Sequence, residues 1–496
     1  MSADLSYDPR TGSATTGPEH STPSEVEAEV AAAAHAAGAV ASASPAQRQQ
    51  WLEALAASLE VAADRLVAIA EEETALGLPR LRGELAKSAA NARYYGTVAA
   101  GGGWLGTQIQ RSADGAGLDL RQVNVPVGPV AVFGASNFPF QFGTVGHDTC
   151  SAIAAGCPVV VKAHPAHPRL AVALAQVASA ALESAGAPAG TLGLVIGFEA
   201  GLGLVDAPAV AAVGFTGSQR GGLALVERAA RRDVPIPVFA EMGTVNPVVV
   251  TPAGTQRIAE VADGFVESFT LGVGQFCTKP GLLLVPRGRG AAEAVSDRVW
   301  SHEGAWLLTA GITSAYREGV DVLQGSGAEV LALGSSPEGG YAAAAAVLRV
   351  DAQDLQPGSR LLEECFGPAA LVAEYDTVDQ ALEVLARMQP SLTGSVFGGG
   401  AEDPDLPPLV ACLAAQTGRV IVDGWPTGVA CADAMHHGGP WPATSRPGAT
   451  SVGAHALQRF TRPVCYQGVP ETALPPALQD ANPWDLPREP DQTREH

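Results

Sequence analysis

The feature of this sequence that most constrains its fold is an alternation of short apolar runs with longer helical stretches between residues 129 and 240. Segments with helical spacing follow four of the five runs. The runs occupy residues 129–134, 158–162, 192–197, 210–215 and 236–240. Short buried strands that alternate with helices indicate a parallel, doubly wound sheet, in which a nucleotide binds beyond the carboxyl ends of the strands.

A second α/β unit begins near residue 243. Its candidate strands are residues 248–250, 282–285, 330–333, 369–373 and 420–422. Residues 118–127 alternate like a strand, and we expect them to combine with residues 462–467 into a small strand extension.

These patterns divide the chain into an N-terminal arm, two α/β domains, the strand extension and a C-terminal tail. The arm is rich in Ser, Thr, Gly and Pro, and we expect it to be mobile. The predicted bounds are 1–24 for the arm, 25–117 and 130–243 for a nucleotide-binding domain, 244–435 for the second domain, 118–129 and 436–470 for the extension, and 471–496 for the tail.

The charge of the chain excludes several kinds of partner. Its 30 Lys and Arg against 51 Asp and Glu give a formal net charge of −21, which disfavours binding to nucleic acid or to an anionic membrane surface. We find no secretory signal, and no apolar run approaches the roughly 18 residues of a membrane-spanning helix. We therefore predict a cytoplasmic protein without a nucleic-acid or membrane partner.

The cysteines and histidines give no pattern typical of a metal site. Seven cysteines without a Cys-x-x-Cys pair argue against both a disulfide framework and a zinc ribbon. His164 and His167 are bracketed by prolines, and the adjacent His436 and His437 would point in different directions. We therefore expect no metal.

Cys277 differs from the other cysteines in its surroundings. It lies in the segment GVGQFCT at residues 272–278, where small residues leave room around the sulfur. Cys150, Cys157 and Cys412 lie in contexts typical of inert buried cysteines. Cys277 is therefore the candidate reactive thiol.

Three polar residues stand where predicted strands end. Glu241 closes an apolar strand, Asn137 follows another, and Lys162 ends a third. Such positions converge on one crevice of a doubly wound sheet. A charge at an apolar strand end is costly unless it is used or paired, and we expect burial to raise the pKa of the Glu241 carboxyl.

With these residues in view, the sequence resembles the aldehyde dehydrogenase superfamily over nearly its whole length. The resemblance implies a nucleotide-binding domain, a catalytic α/β domain at residues 244–435 and a β extension that contacts other subunits of a dimer or tetramer. It rests on motifs in the family's order, namely SNFP (136–139), VK (161–162), FTGS (215–218), AEMG (240–243), GQFCT (274–278) and EECFGP (363–368).

The resemblance implies the oxidation of an aldehyde to an acid through a thiohemiacetal and a thioester on Cys277. Asn137 and the Cys277 backbone N–H would hold the oxyanion, and Glu241 would activate the hydrolytic water. The residues expected to bind the cofactor are Lys162, His164, Gly217, Ser218, Glu364 and Phe366.

Other classes of function stay open at this point. A nucleotide-independent cysteine hydrolase or acyltransferase would also use Cys277, but we find no Cys/His arrangement in the sequence. A silent binding protein on the same fold would tolerate the loss of Cys277. A CoA-acylating reductase usually lacks the glutamate that activates water, so Glu241 favours hydrolysis.

The segment after Lys162 predicts the cofactor. NAD-preferring relatives usually carry a glutamate three residues after the lysine, and this chain has Pro165 there. Without that carboxylate a 2′-phosphate meets no repulsion, and Lys162 and His164 would favour it. We expect a preference for NADP, with NAD as the alternative.

Three further segments resemble the NADP-linked alpha-ketoglutaric semialdehyde (2,5-dioxovalerate) dehydrogenases, to which NADP-linked fatty aldehyde dehydrogenases lie close. The segments are KAHPAHP (162–168), FTGSQRGG (215–222) and GGPWPAT (438–444). Lys279 and His147 depart from that pattern, in which Asn and Gly are usual.

The substrate residues follow from these two alternatives. A semialdehyde needs a cation for its remote carboxylate, and Lys279 and Arg446 are the candidates. A long-chain aldehyde would need an apolar funnel, and its candidate residues are Phe138, Phe142, Phe276 and Trp425.

Overall fold

A computed structural model of the chain describes residues 3–111 and 119–488. The helices of this part are α1 Pro23–Ser42, α2 Pro45–Val61, α3 Ala63–Thr74, α4 Leu78–Gly101, α5 His147–Ala155, α6 Pro168–Ser184, α7 Phe198–Asp206, α8 Gln219–Ala230, α9 Ile258–Thr270, α10 Ala291–Trp300, α11 Ala310–Gly325, α12 Val378–Arg387 and α13 Leu406–Gln416. Local sequence sets several helix starts. Thr22 with Glu25 and Ser44 with Gln47 form capping boxes at the starts of α1 and α2.

The strands form two large sheets and three small ones. Their bounds are β1 Ala3–Tyr7, β2 Ala14–Glu19, β3 Gln108–Arg111, β4 Asp119–Pro126, β5 Val130–Phe133, β6 Val159–Lys162, β7 Leu192–Val195, β8 Ala212–Gly217, β9 Val238–Met242, β10 Pro247–Val250, β11 Leu282–Pro286, β12 Ala305–Trp306, β13 Glu329–Leu333, β14 Ala342–Ala343, β15 Ala346–Asp351, β16 Ala369–Tyr375, β17 Ser391–Phe397, β18 Thr417–Val422 and β19 Thr461–Gln467.

The first large sheet is the predicted five-stranded parallel sheet. Its strand order is β7-β6-β5-β8-β9, and every neighbouring pair is parallel. The order reverses between β5 and β8, because chain connections leave β5 in one direction and β8 in the other. The carboxyl ends of these strands therefore open a crevice at this point, and the predicted α/β fold is confirmed.

The second large sheet has seven strands in the order β13-β15-β16-β11-β10-β17-β18. Only the edge pair β13 and β15 is antiparallel. All five strands predicted for this unit are present, and β15 and β17 are additional. Val248, Val250, Leu283, Val285 and Val372 form a buried layer on one face, so the sheet is a rigid support for the loops at its ends.

The strand extension is a three-stranded antiparallel sheet in the order β19-β4-β3. The predicted pairing is present, with Arg462 opposite Val125 and Gln467 opposite Leu120. Leu118, at the start of the predicted strand, and residues 489–496 of the predicted tail lie outside the described residues. Within that tail Leu478 is fully buried. The domain bounds stay a prediction.

The N-terminal segment corrects the sequence analysis, because residues 3–19 form the hairpin β1–β2 rather than a mobile arm. The hydroxyl of Ser6 donates to the buried carboxylate of Glu73 at 2.7 Å. The backbone N–H of Tyr341 donates to the carbonyl of Pro9 at 2.8 Å, and the Tyr7 and Tyr341 rings lie 6.4 Å apart. These contacts fix the hairpin to both α/β units. Polar composition alone could not predict them.

In the part of the chain that is described, none of the helices is both long and apolar enough to cross a membrane.

Candidate active site

A cavity of about 660 Å³ lies between the two large sheets, at the crevice of the first. Both units and the N-terminal hairpin contribute to its wall. Its lining includes Tyr7, Asn137, Phe138, Phe142, His164, Pro165, Thr216, Gly217, Ser218, Arg220, Glu241, Gly243, Cys277, Leu308, Tyr341, Glu364 and Phe366. The structure thus brings together the three residues predicted to be catalytic and five of the six predicted to bind the cofactor.

Lys162, the sixth, lines a neighbouring cavity of about 620 Å³. His164 and Pro165 line both cavities, so the two spaces meet beside them. The two cavities thus form one larger space, with Cys277 in the wall of one part and Lys162 in the wall of the other. Such a space suits an extended ligand.

The loop that carries Cys277 is held in place by glycines and by one buried amide. Gly274 has φ +65°, and a Cβ there would lie 2.2 Å from the carbonyl oxygen of Gly367. The Asn246 amide, itself fully buried, donates to the carbonyls of Cys277 at 2.8 Å and Lys279 at 3.0 Å. This loop is therefore rigid, which is what a preorganised site needs.

Cys277 has a histidine partner that the sequence analysis did not identify. The sulfur lies 3.7 Å from Nε2 of His437, and the same nitrogen lies 3.1 Å from Oε2 of Glu241. Ser451 donates a hydrogen bond of 3.0 Å to that carboxylate oxygen. His437 and Glu241 are 2 % and 3 % exposed. The expectation that no Cys/His arrangement exists is therefore wrong.

A paired segment places His437 beside Glu241. Ala443 and Ser445 hydrogen-bond to Met242 and Ala240 of β9, so residues 443–445 run alongside that strand. The chain then turns at Arg446–Ala449 and brings Ser451 back to the carboxylate. His436 and His437 were expected to point in different directions. The ring of His437 points into the site and contacts Cys277 and Glu241. A carboxylate oxygen of Glu241, a ring nitrogen of His437 and the sulfur of Cys277 all lie within 4.8 Å of one another.

Burial and close contact set the protonation of this group. Burial, reinforced by the Glu241 charge, raises the pKa of the Cys277 thiol well above its usual value. Burial also raises the pKa of Glu241, but hydrogen bonds and charge from His437, Ser451 and Cys277 outweigh it and leave the pKa lowered. The expected rise at Glu241 is therefore wrong. The resting group holds a protonated thiol beside an ionised carboxylate.

Asn137 faces the loop that carries Cys277. Its side-chain amide donates to the carbonyl of Gln275 at 2.8 Å, and Arg80 donates to its backbone carbonyl at 2.7 Å. An amide nitrogen carries two hydrogens, so one is left for a further acceptor. The backbone N–H of Cys277 lies beside its own sulfur. Two donors thus flank the place where an atom bound to the sulfur would sit.

The opposite wall of the cavity carries polar atoms without partners. Oε1 of Glu364 and Oγ1 of Thr216 are buried and accept or donate no hydrogen bond within the described residues. Burial raises the pKa of Glu364 to about 7, although Lys279 lowers it. A Cβ on Gly243 would lie 2.4 Å from that carboxylate. Unsatisfied buried polar atoms of this kind are expected where a polar ligand binds.

The turn after β8 offers a helix N-terminus to the same space. The Ser218 hydroxyl accepts from the backbone N–H of Gly221 at 3.2 Å and caps α8. Arg220 lies in the first turn of this helix and lines the cavity, and it was not among the predicted residues. A cation is unfavourable at a helix N-terminus unless an anion binds nearby. The motif FTGSQRGG contained this signal.

His164 does not supply the charge that the sequence analysis expected. Burial, together with His167 and Lys162, lowers the pKa of His164 well below its usual value, so the ring is neutral. Its Nδ1 accepts a hydrogen bond of 3.1 Å from the backbone N–H of Ala166. Burial also lowers the pKa of Lys162, against the charge of Asp4.

Three of the six predicted substrate residues lie at the cavity or beside it. Phe138 and Phe142 line the wall, and the ring of Phe276 meets that of Phe138 edge to face at 4.9 Å. His147, one of the two departures from the subfamily pattern, packs behind Phe142 with its Nδ1 2.8 Å from the hydroxyl of Tyr95. Burial lowers the pKa of His147 to about 3, so it supports the wall as a neutral ring.

The other three predicted substrate residues lie elsewhere. The ammonium of Lys279 is buried and donates to the carbonyls of Cys365 at 2.8 Å and Ala369 at 2.7 Å, so it faces away from the cavity. Trp425 packs on Phe397, and Arg446 is exposed on the turn after residues 443–445. These three predictions are wrong, because position near a motif does not fix the direction of a side chain.

Several known proteins are similar to this chain in sequence or in fold. The model of the aldehyde dehydrogenase family matches residues 4–462. The chain is 42% identical over 461 residues to alpha-ketoglutaric semialdehyde dehydrogenase 2 of Azospirillum brasilense, covering 89% of this chain and 88% of that protein. It is 39% identical over 452 residues to alpha-ketoglutaric semialdehyde dehydrogenase of Acinetobacter baylyi, covering 89% and 86%. The fold superposes on a proposed aldehyde dehydrogenase of Burkholderia cenocepacia with a TM-score of 0.80 at 25% identity, covering 94% and 96%.

Proposed function

The chain belongs to the aldehyde dehydrogenase family, and on this premise we propose that it oxidises alpha-ketoglutaric semialdehyde to 2-oxoglutarate with NADP. The family oxidises aldehydes with NAD(P), and this chain is an enzyme of that kind. The convergence of Cys277, Glu241 and Asn137 on one cavity is the observation that carries the mechanism. The similarity of this chain to two alpha-ketoglutaric semialdehyde dehydrogenases supports alpha-ketoglutaric semialdehyde as the substrate.

The first step is attack of the thiol on the aldehyde carbon. The Cys277 proton passes to the group formed by His437 and Glu241, which lies within hydrogen-bonding reach of the sulfur. The new carbon–sulfur bond leaves an oxyanion. Asn137 and the Cys277 backbone N–H donate to it and stabilise the thiohemiacetal.

The second step removes hydride and leaves a thioester on Cys277. The nicotinamide ring, when bound, supplies the hydride acceptor. Glu241 then takes a proton from water, the hydroxyl attacks the thioester carbon, and the carbon–sulfur bond breaks. His437 returns a proton to the departing thiolate. The lowered pKa of Glu241 keeps its carboxylate ionised, so the carboxylate is free to accept the proton from the attacking water.

The residues present fit a nicotinamide dinucleotide. Glu364 and Thr216 offer the unpartnered atoms described above to its hydroxyl and amide groups. The capped N-terminus of α8 suits a diphosphate, and Lys162, in the wall of the other part of the space, suits the adenosine ribose. Gly217, just before the N-terminus of α8, has no side chain to cover the backbone, and a Cβ at this position would lie 2.7 Å from the Phe215 ring.

The preference for NADP rests on Pro165 and Lys162. Pro165 places no carboxylate beside the adenosine ribose, and Lys162 supplies the charge that the neutral His164 does not. We expect a higher kcat/KM with NADP than with NAD, and Lys162→Gln to reduce this ratio. Higher kcat/KM with NAD would contradict the preference.

The substrate is tested by comparing alpha-ketoglutaric semialdehyde with decanal. Phe138 and Phe142 give the cavity an apolar wall, which favours a medium- or long-chain aldehyde as the second candidate. Higher kcat/KM with decanal would make that candidate the better one. In either case Cys277→Ala should abolish oxidation and retain NADP binding.

The contact between Cys277 and His437 favours hydrolysis of thioesters and esters as a second reaction of the same site. A nucleotide-independent hydrolase would bind no NADP, and a fluorescence titration separates the two.

We also propose that the chain forms a homo-oligomer through the strand extension. Strand β19 lies at the edge of its sheet, with several exposed residues, and an open edge is suited to pairing with another copy. Light scattering after size exclusion should give a dimer or tetramer, and a monomer would contradict the proposal.

A further inference from the structure

The proposed substrate carries a carboxylate at the end remote from its aldehyde, and the cavity lining provides no cation for it near Cys277. Among the described residues that line the cavity, Arg220 is the only Arg or Lys, and it lies at the helix N-terminus beside Ser218. Lys279 is bound to two carbonyls. Any cation that binds this carboxylate would therefore have to reach it from just behind the wall.

Arg80, in the first turn of α4, occupies such a place. Its guanidinium carbon lies 5.3 Å from the centre of the Phe138 ring and 5.1 Å from that of Phe276. Phe138 directly follows Asn137 in the chain, and Phe276 directly precedes Cys277. The guanidinium is therefore adjacent to both residues that hold the reacting carbon, with two aromatic faces to orient it.

One arm of this guanidinium has no partner. Nη2 donates to the carbonyl of Asn137 at 2.7 Å, whereas Nη1 is buried without a hydrogen bond in the described structure. Gly272 keeps side-chain atoms away from Nη1, because a Cβ there would lie only 2.4 Å from it. A buried charged donor without an acceptor is unfavourable, and a ligand carboxylate would satisfy it.

The nearest acidic residue on the same helix does not take that role. Glu84 lies one turn further along α4, and its Oε1 accepts from the backbone N–H groups of Phe140 at 2.9 Å and Gln141 at 3.1 Å. Burial raises the pKa of Glu84 to about 7, although Arg80 and the two N–H groups lower it. Glu84 thus fixes the loop after Phe138 and leaves the guanidinium to bind a further anion.

We propose that Arg80 is a specificity-determining residue that binds the remote carboxylate of a semialdehyde substrate. The Phe138 and Phe276 rings meet at 4.9 Å and separate the cavity from Nη1, so the two rings rotate apart to let the carboxylate accept from Nη1 while the aldehyde carbon reaches Cys277. The inference rests on the proposed function, since a simple alkyl aldehyde has no group for Arg80 to bind.

The test compares two aldehydes of equal length on the full-length enzyme, alpha-ketoglutaric semialdehyde and pentanal. Arg80→Gln should lower the ratio of their kcat/KM values about 10- to 100-fold, mainly through a higher KM for the semialdehyde, as expected for a lost charge-assisted hydrogen bond. Arg80→Lys keeps the charge without the planar fork and should recover part of the ratio.

Arg82→Gln is the matched control. It removes a charge two residues away on the same helix, from an exposed side chain paired with Asp64, and should leave the ratio unchanged. An equal loss for both aldehydes in the Gln and Lys variants would show that Arg80 only supports the wall, and would overturn the inference.

Failure of the proposed function gives a different result. The unmodified enzyme would then oxidise pentanal efficiently and the semialdehyde poorly, and the role of Arg80 would be rejected together with the substrate. If Arg80→Gln does not fold, as judged by its melting temperature, the Lys variant and the same ratio decide the question.

Discussion

Glu364 should make nucleotide binding depend on pH near neutrality. Burial holds its pKa at about 7 in the free enzyme, and only the ionised carboxylate accepts hydrogen bonds with both oxygens. At pH 6 about one tenth of the molecules carry the ionised form, and at pH 8 about nine tenths do. Because apparent affinity scales with the competent fraction, the Kd should fall about tenfold between these values.

The measurement is a fluorescence or calorimetric titration with nucleotide at pH 6, 7 and 8, without aldehyde. NAD is used beside NADP, because the 2′-phosphate itself titrates near pH 6. Glu364→Gln keeps an acceptor that does not titrate, and its Kd should be flat with pH. A change below twofold for NAD with the unmodified enzyme, or a tenfold change that persists in the Gln variant, would refute the reasoning.

Three further predictions concern neighbouring residues. His437→Asn should lower kcat by about 100-fold or more and slow alkylation of Cys277 by iodoacetamide in parallel, since the thiol loses its proton acceptor; unchanged alkylation would contradict this. Gly243→Ala should raise the KM for NADP with little change in melting temperature, because the new Cβ displaces only the end of the Glu364 side chain; an unchanged KM would count against a cofactor role for that carboxylate. Between pH 4.5 and 7 folded Glu84 keeps a proton that the unfolded chain releases, so ionisation at pH 8 costs about 3 kcal/mol. Glu84→Gln should therefore gain stability relative to the original at pH 8 but not at pH 4.5, as denaturant unfolding at both pH values would show.

The strands of the first sheet could be predicted from the sequence because their signal is local. Each is largely buried and contains a short apolar run, with polar residues such as Lys162 and Glu241 only near its carboxyl end. Strand β17 escaped detection for the opposite reason. Its Thr393 and Ser395 are buried polar residues, and Thr393 hydrogen-bonds to Asn246 rather than to solvent. Only tertiary contacts make such a strand stable, so composition does not reveal it.

The residues of the site also differ in whether a local sequence pattern or only the tertiary structure reveals them. Glu241 and Asn137 were predictable because each lies in a motif at or just after the end of a strand, and Cys277 was predictable because it lies in a motif of small residues. His437 lies 160 residues after Cys277, and no spacing in the sequence relates the two. Lys279 shows the converse, since a cation two residues from the thiol in sequence is bound to the carbonyls of Cys365 and Ala369 and does not line the cavity.

The span of the cavity wall, from Tyr7 to Glu364 with Ser451 and His437 behind Glu241, has a consequence for biosynthesis. A ribosome that has just added residue 277 still has to add 160 more before His437 exists, which takes on the order of ten seconds or more at common elongation rates. During that time the thiol lacks the histidine that accepts its proton in the proposed mechanism and, without burial, keeps the ordinary pKa of an exposed thiol. The nascent chain is therefore open to oxidation and alkylation at Cys277. The raised pKa of the resting thiol and its activation by His437 both arise only when the C-terminal segment docks beside Glu241.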